Sequence, residues 1–390
     1  MAIGELNRYG KSVNIQNPYS TKIQLGIRKR YSSSRIEQNT KITLGIRKRY
    51  SSRIKQMKFF VSLLCLCHTV TSQLSFLAIG DWGGQNDSQP TTSGQIAASH
   101  GMSIVASDID AKGILLLGDN FYHHGVESNT SSRFNITFEQ VYPVQSFQNL
   151  PFYVVAGNHD WKGNVQAQIE YHDFSDRWHF PELYYKLPFN FTSSTGIRRT
   201  IDIIMIDTVT LVGECVLDFP GCTLALQSNA AIENAETHWQ WLSQQLNTST
   251  ADYLFVGGHF PIYSAGSDGT TPDLVSRLLP MLSLVGGHYI SGHDHMHEHV
   301  AVNGVNMFVT GPGRECCYEP IKLDTVPKDA MKFMISGENG TGTSIGPTPT
   351  EIILSGFSSL TFDDSIQVKM YNQDGICLYS APPISPRTLL

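Results

Sequence analysis

The sequence predicts an α/β fold built as one domain, and three observations support this. Five short apolar runs each end in a glycine followed by a polar residue, helical patterns separate several of the runs, and the chain closes on alternating strand patterns. The five runs span residues 77–81, 115–119, 154–160, 254–259 and 289–295. A chain of 390 residues with 41% hydrophobic residues can bury a core of this size.

The first half of the domain reads as alternating strands and helices. Apolar residues recur with helical spacing over residues 94–110, which gives a β-α-β unit between the first two runs. Residues 129–137 are rich in serine and threonine, which predicts a glycosylated loop. The mostly apolar residues 201–207 form the pattern of another buried strand.

The second half adds two helices and a terminal group of strands. A helix is expected over residues 234–246, with Trp239, Leu242 and Leu246 on one face. The next helix opens at Thr271-Pro272 and runs to about residue 283, because threonine can cap a helix and proline suits its first position. Residues 359–362, 366–371 and 376–379 predict antiparallel strands joined by turns.

The amino-terminal 56 residues form a basic leader that differs from the rest. They carry 13 lysines and arginines against 2 acidic residues, whereas the remaining chain carries 15 against 32. Residues 25–33 return unchanged as residues 44–52, without the apolar period of a repeat fold. We interpret residues 1–56 as upstream sequence outside the mature protein, with Met57 as the start; a basic disordered arm and a targeting extension are the alternatives.

Residues 57–72 have the pattern of a secretory signal peptide. A basic start precedes a short apolar run, and small or branched residues follow where a signal peptidase cuts. The alternative is a signal anchor, but the run is short for a stop-transfer helix. Secretion predicts surface glycans on the sequons beyond it. These are Asn86, Asn129, Asn135, Asn190, Asn247 and Asn339.

Five cysteines remain after signal cleavage, an odd number for an oxidising compartment. Cys215 and Cys222 flank a short turn and could close a small loop. Cys377 with either Cys316 or Cys317 is the second expected pair, which leaves one free thiol. The sequence does not decide between these connectivities.

Polar residues at the five strand ends indicate a ligand site. In open α/β sheets, ligands bind beyond the carboxyl ends of the strands, and a glycine there lets the backbone turn and pass close to a ligand. Aspartate, asparagine and histidine side chains gathered at such ends suit a pair of metal ions about 3.5–4 Å apart. Isolated aspartates of this kind are more often turn or cap residues, so the ordered set of five carries the inference.

The order of these tips resembles that of the calcineurin-like metallophosphoesterases: Gly-Asp, Gly-Asp with a tyrosine three residues on, Gly-Asn-His-Asp, Gly-His and Gly-His-Asp-His. Tyr122 makes the chain similar to the purple acid phosphatases, and the short spacings resemble their small tartrate-resistant type over residues 74–380. This resemblance implies two packed mixed β-sheets flanked by helices, a single catalytic domain over residues 73–390, and hydrolysis of phosphate monoesters. A metallophosphoesterase for diesters or nucleotides and a non-hydrolytic iron-binding or redox glycoprotein are the alternatives.

The resemblance also assigns the metal ligands. It gives Asp81, Tyr122 and His295 to the first metal, and Asp119 bridges the pair. Asn158, His259 and His293 bind the second metal. The first, anionic set favours Fe(III), and the second, neutral set suits Fe(II), Zn or Mn.

In the same family pattern a metal-bound hydroxide attacks phosphorus, and His159 protonates the leaving oxygen. Asn158 and His159 are the expected substrate-binding residues, and Asp160 is expected to orient the ring of His159. His123, His124, His297 and His299 are surplus, and we expect them on the surface or around the ligands. Asp207 is expected to be a turn or hydrogen-bonding residue, and Trp82 either walls the pocket or packs in the core.

The chain departs from the family pattern at Asp268, where small acid phosphatases usually carry a second histidine near the leaving group. We expect Asp268 to assist while protonated; the alternative is an exposed turn residue in a flexible loop. Asp273 stands where the family has a cysteine, so the family's loop-tethering disulfide is not expected and Cys215 is available to Cys222.

Partners and location follow from charge and secretion. The acidic body excludes nucleic acid, and no membrane attachment is expected after signal cleavage. Small phosphorylated molecules are the expected substrates, with phosphoproteins as a further class. We expect a secreted or lysosomal monomer.

Overall fold

Two seven-stranded β-sheets stack face to face in the computed structural model, which describes residues 73–213, 229–347 and 349–388. In chain order the strands are β1 (Leu74–Ile79), β2 (Ile114–Leu117), β3 (Phe152–Val155), β4 (Trp178–His179), β5 (Tyr185–Thr192), β6 (Arg198–Met205), β7 (Tyr253–Gly257), β8 (His288–Ser291), β9 (His297–Val302), β10 (Val305–Thr310), β11 (Met331–Ile335), β12 (Gly356–Phe362), β13 (Ile366–Asn372) and β14 (Cys377–Ser380).

Helices of different lengths connect these strands. The α-helices are α1 (Ser93–Asp108), α2 (Val144–Phe147), α3 (Val165–Glu170), α4 (Thr208–Val212), α5 (Asn229–Thr248) and α6 (Leu279–Val285). Phe134–Glu139 and Leu274–Leu278 are π-helical, and Asp160–Lys162, Tyr171–Asp173, Leu323–Thr325 and Glu338–Gly340 are 3₁₀ turns. In the described part of the chain, every helix is too short or too polar to cross a bilayer.

The sheet order brings the parallel strands together at the middle of each sheet. The first sheet runs β14-β13-β12-β1-β2-β3-β4, and the second runs β11-β9-β10-β8-β7-β6-β5. β1, β2 and β3 are parallel, as are β6, β7, β8 and β10, whereas the outer pairs are mostly antiparallel. This arrangement confirms the predicted mixed two-sheet architecture, and it gathers the carboxyl ends of the central strands at one edge.

The inner faces of the sheets share a core rich in aromatic side chains. Phe255 of the second sheet lies 6.2 Å from Phe362 of the first, measured between ring centroids, and Phe76 lies 6.2 Å from the same ring. All three rings are fully buried, and each such burial contributes about 1.5–3 kcal/mol. Trp82 belongs to this core, because its ring contacts Tyr142 and Trp178, so it does not wall a pocket.

The outer helices confirm most sequence predictions and correct one detail. Trp239, Leu242 and Leu246 of α5 pack together against the second sheet as expected. Helix α1 forms where predicted, but its buried face is shifted, because Ile96 and Ile104 are 54% and 43% exposed.

Two predictions about the connections were incomplete or wrong, and a third is not tested by the described residues. Phe134–Glu139 is a π-helical turn that buries Phe134, so the loop predicted over residues 129–137 ends early. Cys316 and Cys317 form a disulfide with each other, and Cys377 is unpaired, contrary to the expected pairing of Cys377. The expected pair Cys215–Cys222 lies outside the described residues.

His288 gives the fold a measurable acid sensitivity. Its Nδ1 accepts a hydrogen bond from the Asn306 backbone N–H at 3.2 Å, so the ring must remain neutral at that atom. Burial and, to a lesser extent, the nearby His299 and Arg387 lower the pKa of His288 to about 4. The unfolded chain therefore binds a proton more readily than the folded one between about pH 6.5 and 4, and the stability that His288 contributes is lost as pH falls through this window.

We predict that His288→Gln reduces the loss of folding free energy on acidification, because glutamine offers an acceptor to Asn306 but does not titrate. The gain at pH 4 relative to pH 7 is expected to reach about 3 kcal/mol at most. Urea unfolding at pH 7, 6, 5 and 4 measures it, with the exposed His100→Gln as the matched control. Equal pH dependence in wild type and His288→Gln would contradict the prediction.

Candidate metal centre

The carboxyl ends of β1, β2, β3, β7 and β8 present the predicted ligands at one edge of the two sheets. Three of these residues have left-handed backbone conformations: Asp81 has φ of 57°, Asp119 has φ of 52° and His293 has φ of 75°. Aspartate and histidine tolerate this region better than most residues, and strained backbone of this kind concentrates at functional sites. The backbone therefore turns sharply at the ligands themselves.

The glycines at the tips mainly provide space. Of those preceding a predicted ligand, Gly118 has a positive φ, of 90°, whereas Gly80, Gly157 and Gly292 do not. A Cβ atom on Gly157 would lie 2.2 Å from Asp119 Oδ1, and one on Gly80 would lie 2.8 Å from the Gly292 Cα. The expected sharp turn is thus found at Gly118, and elsewhere glycine allows neighbouring tips to approach one another.

Asp81, Tyr122 and His295 form one side of the centre. The Tyr122 hydroxyl donates to Asp81 Oδ1 at 3.0 Å and lies 2.9 Å from His295 Nε2. The His295 ring stacks on Tyr318 with centroids 4.5 Å apart, and its Nδ1 lies 3.2 Å from Glu315 Oε1. These contacts hold the His295 ring with Nε2 directed at Tyr122 and Asp81.

Asp119, Asn158 and His259 form the other side. His259 Nδ1 lies 2.8 Å from the Leu117 carbonyl oxygen, which can only accept, so Nδ1 carries the proton and Nε2 has a free lone pair. Nε2 lies 2.9 Å from Asn158 Oδ1 and 3.5 Å from Asp119 Oδ1. His293 lies beside this set, its ring centroid 5.0 Å from that of His259.

The ligand atoms face one another with too few protons between them, which is the arrangement that fits cations. Nε2 of His259 and Oδ1 of Asn158 are both acceptors, and one Tyr122 proton serves both Asp81 and His295. Atoms of Asp81, Asp119 and His259 all lie within 4.8 Å of one another. Buried lone pairs left facing each other are costly unless a positive charge satisfies them.

The protonation tendencies of the buried groups agree with this reading. Burial raises the pKa of Asp81 well above its ordinary value, and the neighbouring Asp119 raises it further, so two adjacent carboxylates cannot both ionise cheaply without a cation. Burial lowers the pKa of His259 and of His293 to about 4 each. Both rings are therefore neutral near pH 7, the form that binds metal.

His159 lies at the lip of the centre. Its backbone N–H donates to Asp119 Oδ1 at 2.9 Å, and its Nε2 lies 3.9 Å from Asp119 Oδ2. Its Nδ1 lies 2.8 Å from the His123 carbonyl oxygen, so Nδ1 carries a proton and Nε2 faces the ligands. The carbonyl of His123 orients this ring, and the expectation that Asp160 does so was wrong.

Asp160 instead links two strand ends to each other through hydrogen bonds. Its carboxylate accepts hydrogen bonds from the backbone N–H groups of Gly157, Asn120 and Phe121 at 2.8, 3.0 and 3.1 Å, and from the Gln168 side chain at 2.8 Å. This fully buried clamp joins the end of β3 to the end of β2. It fixes the separation of Asp119 and Asn158.

Asp268 lies in the loop after β7 with an exposed side chain, close enough to His295 and His259 to interact with them electrostatically. Its loop is tied down, because Asp294 accepts from the N–H groups of Asp268 at 3.0 Å and Gly269 at 2.9 Å, and Glu298 accepts from Ala265. The loop therefore has a defined conformation, contrary to the expected flexibility. Partial desolvation of the carboxyl group and, second, the negative charge of Asp294 raise the pKa of Asp268.

The remaining predicted residues fall in several places. Asp207 accepts from Trp161 Nε1 at 2.8 Å and caps α4 through Thr210 N–H, which matches its expected hydrogen-bonding role. His297 and His299 are buried within β9 and do not lie at the surface. His123 and His124 line a cavity beside Tyr122.

Arg314, Glu315 and Tyr318 were missed by the sequence analysis. They follow β10, which we did not predict, although Asn303-Gly304 between apolar residues is the usual signal of a two-residue hairpin turn. Both residues of that turn have positive φ, 52° and 81°. Had β10 been recognised, its carboxyl end would have been expected at the same edge as the other tips.

Comparison with known proteins agrees with this geometry. The family model described as calcineurin-like phosphoesterase matches residues 74–297. Tartrate-resistant acid phosphatase type 5 of Oryctolagus cuniculus is 37% identical over 292 residues, covering 72% of this chain and 88% of the relative. Purple acid phosphatase 7 of Arabidopsis thaliana is 32% identical over 245 residues, covering 62% and 70%.

A solved structure shares the fold. GAP50, described as the anchor in the inner membrane complex of Plasmodium, superposes with a TM-score of 0.62 at 24% identity, covering 81% of this chain and 90% of that one. Because the family match spans more than half of the chain and the type 5 relatives align over most of their own length, the chain belongs to the calcineurin-like phosphoesterases, in the group of tartrate-resistant and purple acid phosphatases.

Proposed function

We propose that this phosphoric-monoester hydrolase is a secreted or lysosomal acid phosphatase that works with two metal ions. The observation that carries the proposal is the set of facing lone pairs at the strand ends, which bound cations would satisfy. Membership of the acid phosphatase group supports the hydrolysis of phosphate monoesters.

The two halves of the centre would hold different cations. Asp81, Tyr122 and His295 would hold the first and Asn158, His259 and His293 the second, with Asp119 between them. The anionic first set suits Fe(III), and the neutral second set suits Fe(II), Zn or Mn. Bound there, the cations would polarise phosphate oxygens and supply hydroxide at a pH where free water is not ionised.

The chain's own residues then position and protonate the substrate. Asn158 and His159 border the space in front of Asp119, where a phosphate group would lie. The His123 carbonyl fixes the His159 ring with Nε2 towards this space. In its doubly protonated form, His159 would keep Nδ1–H on the His123 carbonyl and donate the Nε2 proton to the departing alcohol oxygen, which leaves a neutral ring.

Secretion remains part of the proposal. We infer that residues 1–56 are absent from the mature protein and that residues 57–72 are a signal peptide. Among the sequons, Asn135, Asn190 and Asn247 are exposed, and Asn86, Asn129 and Asn339 are half-buried. None of the six lies in the core, which supports the proposal of surface glycans.

Separating metal binding from proton donation tests the function. Asp119→Asn is expected to lose metal and activity together, because its carboxylate is shared by both sets of ligands. His159→Ala is expected to retain two metal ions while kcat falls by about 10²–10⁴-fold. Metal analysis and steady-state assays with a phosphate monoester measure both, with exposed His100→Ala as the control. Metal loss in His159→Ala would contradict the division of roles.

Tyr122 tests the identity of the first cation. A phenolate bound to Fe(III) absorbs visible light, so Tyr122→Phe is expected to abolish a visible band while the fold is retained. The absorption spectrum and iron content of both proteins measure this. A colourless wild-type protein holding two zinc ions would refute the iron assignment.

We propose that Asp268 assists the leaving group only while protonated, because a carboxylate would repel an anionic substrate. Its contribution is present below its pKa and lost above it, and the raised pKa extends that range upwards. The pH–rate profile of Asp268→His is expected to shift towards neutral pH relative to wild type, and Asp268→Asn to lose part of the acid limb. Two unchanged profiles would make Asp268 a turn residue.

A further inference from the structure

A polar cavity of about 540 Å³ opens beside the candidate metal centre. Tyr122 belongs to both, because its ring lines the cavity while its hydroxyl contacts Asp81 and His295. His123, His124 and Lys162 line the same cavity. A leaving group that departs past His159 would therefore enter a space lined by basic side chains.

Lys162 is held at this position without a carboxylate partner. Its Nζ lies 3.3 Å from His159 Nδ1, but that nitrogen already donates its proton to the His123 carbonyl and cannot accept another. Within the described parts of the chain, no carboxylate lies at ion-pair distance from Nζ, although Asp119 attracts it from further away. The ammonium group is thus half-buried beside the centre with hydrogen-bonding capacity left over.

The two histidines extend this basic wall. The ring of His123 lies 5.5 Å from that of His159, and the ring of His124 lies 6.4 Å from that of His123. An anion placed among these groups would meet the Lys162 ammonium group and imidazole rings that can donate hydrogen bonds.

The other charged groups of the cavity do not neutralise the positive charge of Lys162. Arg133 is already satisfied, because it donates to Asp87, to the Tyr122 carbonyl and to the Gly83 carbonyl at 3.0, 2.9 and 2.7 Å. Asp87 is paired with this arginine, and Glu127 is exposed at the rim. The unneutralised charge therefore lies on the Lys162 side, next to His159.

We propose that Lys162, His123 and His124 form a second anion subsite that binds a second phosphate group of the substrate. This inference rests on the proposed function and deepens it: the preferred substrates are small molecules that carry two phosphate groups. The scissile phosphate lies in the metal centre, and the other phosphate lies in the cavity beyond His159. Arginine and lysine bind phosphate strongly in such partly buried places, through charge-assisted hydrogen bonds.

The test compares two substrates that differ in one phosphate, 1,3-propanediol bisphosphate and 3-hydroxypropyl phosphate. Two equivalent phosphates alone give the bisphosphate a twofold statistical advantage. We expect the ratio of kcat/KM in the wild-type holoenzyme to exceed this by about tenfold or more, as for one charge-assisted hydrogen bond. The ratio is expected to fall as salt is added, because salt screens the partly exposed charges.

Variants then locate the subsite. Lys162→Gln and His123→Gln are each expected to lower the ratio several-fold, and Lys162→Arg to preserve it. The ratio within each protein is the readout, so a general effect of Lys162 on His159 cancels. Lys332→Gln removes an exposed lysine on β11 and serves as the matched control for net charge. Circular dichroism and Tm establish that each variant is folded.

The possible outcomes distinguish failure of the second anion subsite from failure of the proposed phosphatase function. A wild-type ratio near two, or a ratio unchanged in Lys162→Gln and His123→Gln, overturns the subsite while hydrolysis of 3-hydroxypropyl phosphate upholds the phosphatase. A metal-loaded wild-type protein that hydrolyses neither substrate overturns the proposed function and the subsite with it. Should Lys162→Gln not fold, the wild-type ratio and its salt dependence decide alone.

Discussion

A shortage of protons among buried ligand atoms is the constraint on which the rest of this structure depends. His259 Nε2 faces Asn158 Oδ1, Tyr122 shares one proton between two acceptors, and two carboxylates lie next to each other. Such a cluster is unstable by itself, since buried lone pairs and like charges are costly. Bound cations would pair with these lone pairs and negative charges. The atoms that cost folding free energy without a cation would then contribute to the affinity for the cations.

The surrounding fold works to keep that cluster from relaxing. Asp160 ties the ends of β2 and β3 together with backbone hydrogen bonds, and Asp294 ties down the loop that carries Asp268. The Leu117 carbonyl oxygen contacts Nδ1 of His259, and the Glu315 carboxylate contacts Nδ1 of His295. Ligand orientation is therefore set by partners outside the ligand set, as is usual for protein metal sites.

Two segments of different chemistry lie near the centre. One is the loop of Asp268, whose backbone carbonyl accepts a hydrogen bond from Lys322 Nζ. The other is formed by Lys162, His123 and the cavity beside Tyr122. Loops of this kind can change without disturbing the sheets that hold the strand ends, so substrate choice can vary independently of the fold.

The sequence by itself determined the strand ends and most helices, and it named the candidate ligands at those strand ends. Local signals suffice there, because an apolar run that stops at a glycine and a polar residue marks a strand end wherever it lies in the chain. The order of five such ends was distinctive enough to indicate the family. The hairpin of β9 and β10 was also within reach, since Asn303-Gly304 marks it.

Only the tertiary structure decided which residues support those ligands. Glu315 meets His295, the His123 carbonyl meets His159, and Asp160 clamps backbone when it was expected to orient a ring. It also showed that Lys162 has no carboxylate partner in the described structure and that Ile96 is exposed. The physical reason is that hydrogen bonds and burial depend on atoms brought together from distant parts of the chain, and the spacing of residues along one strand or helix does not specify them.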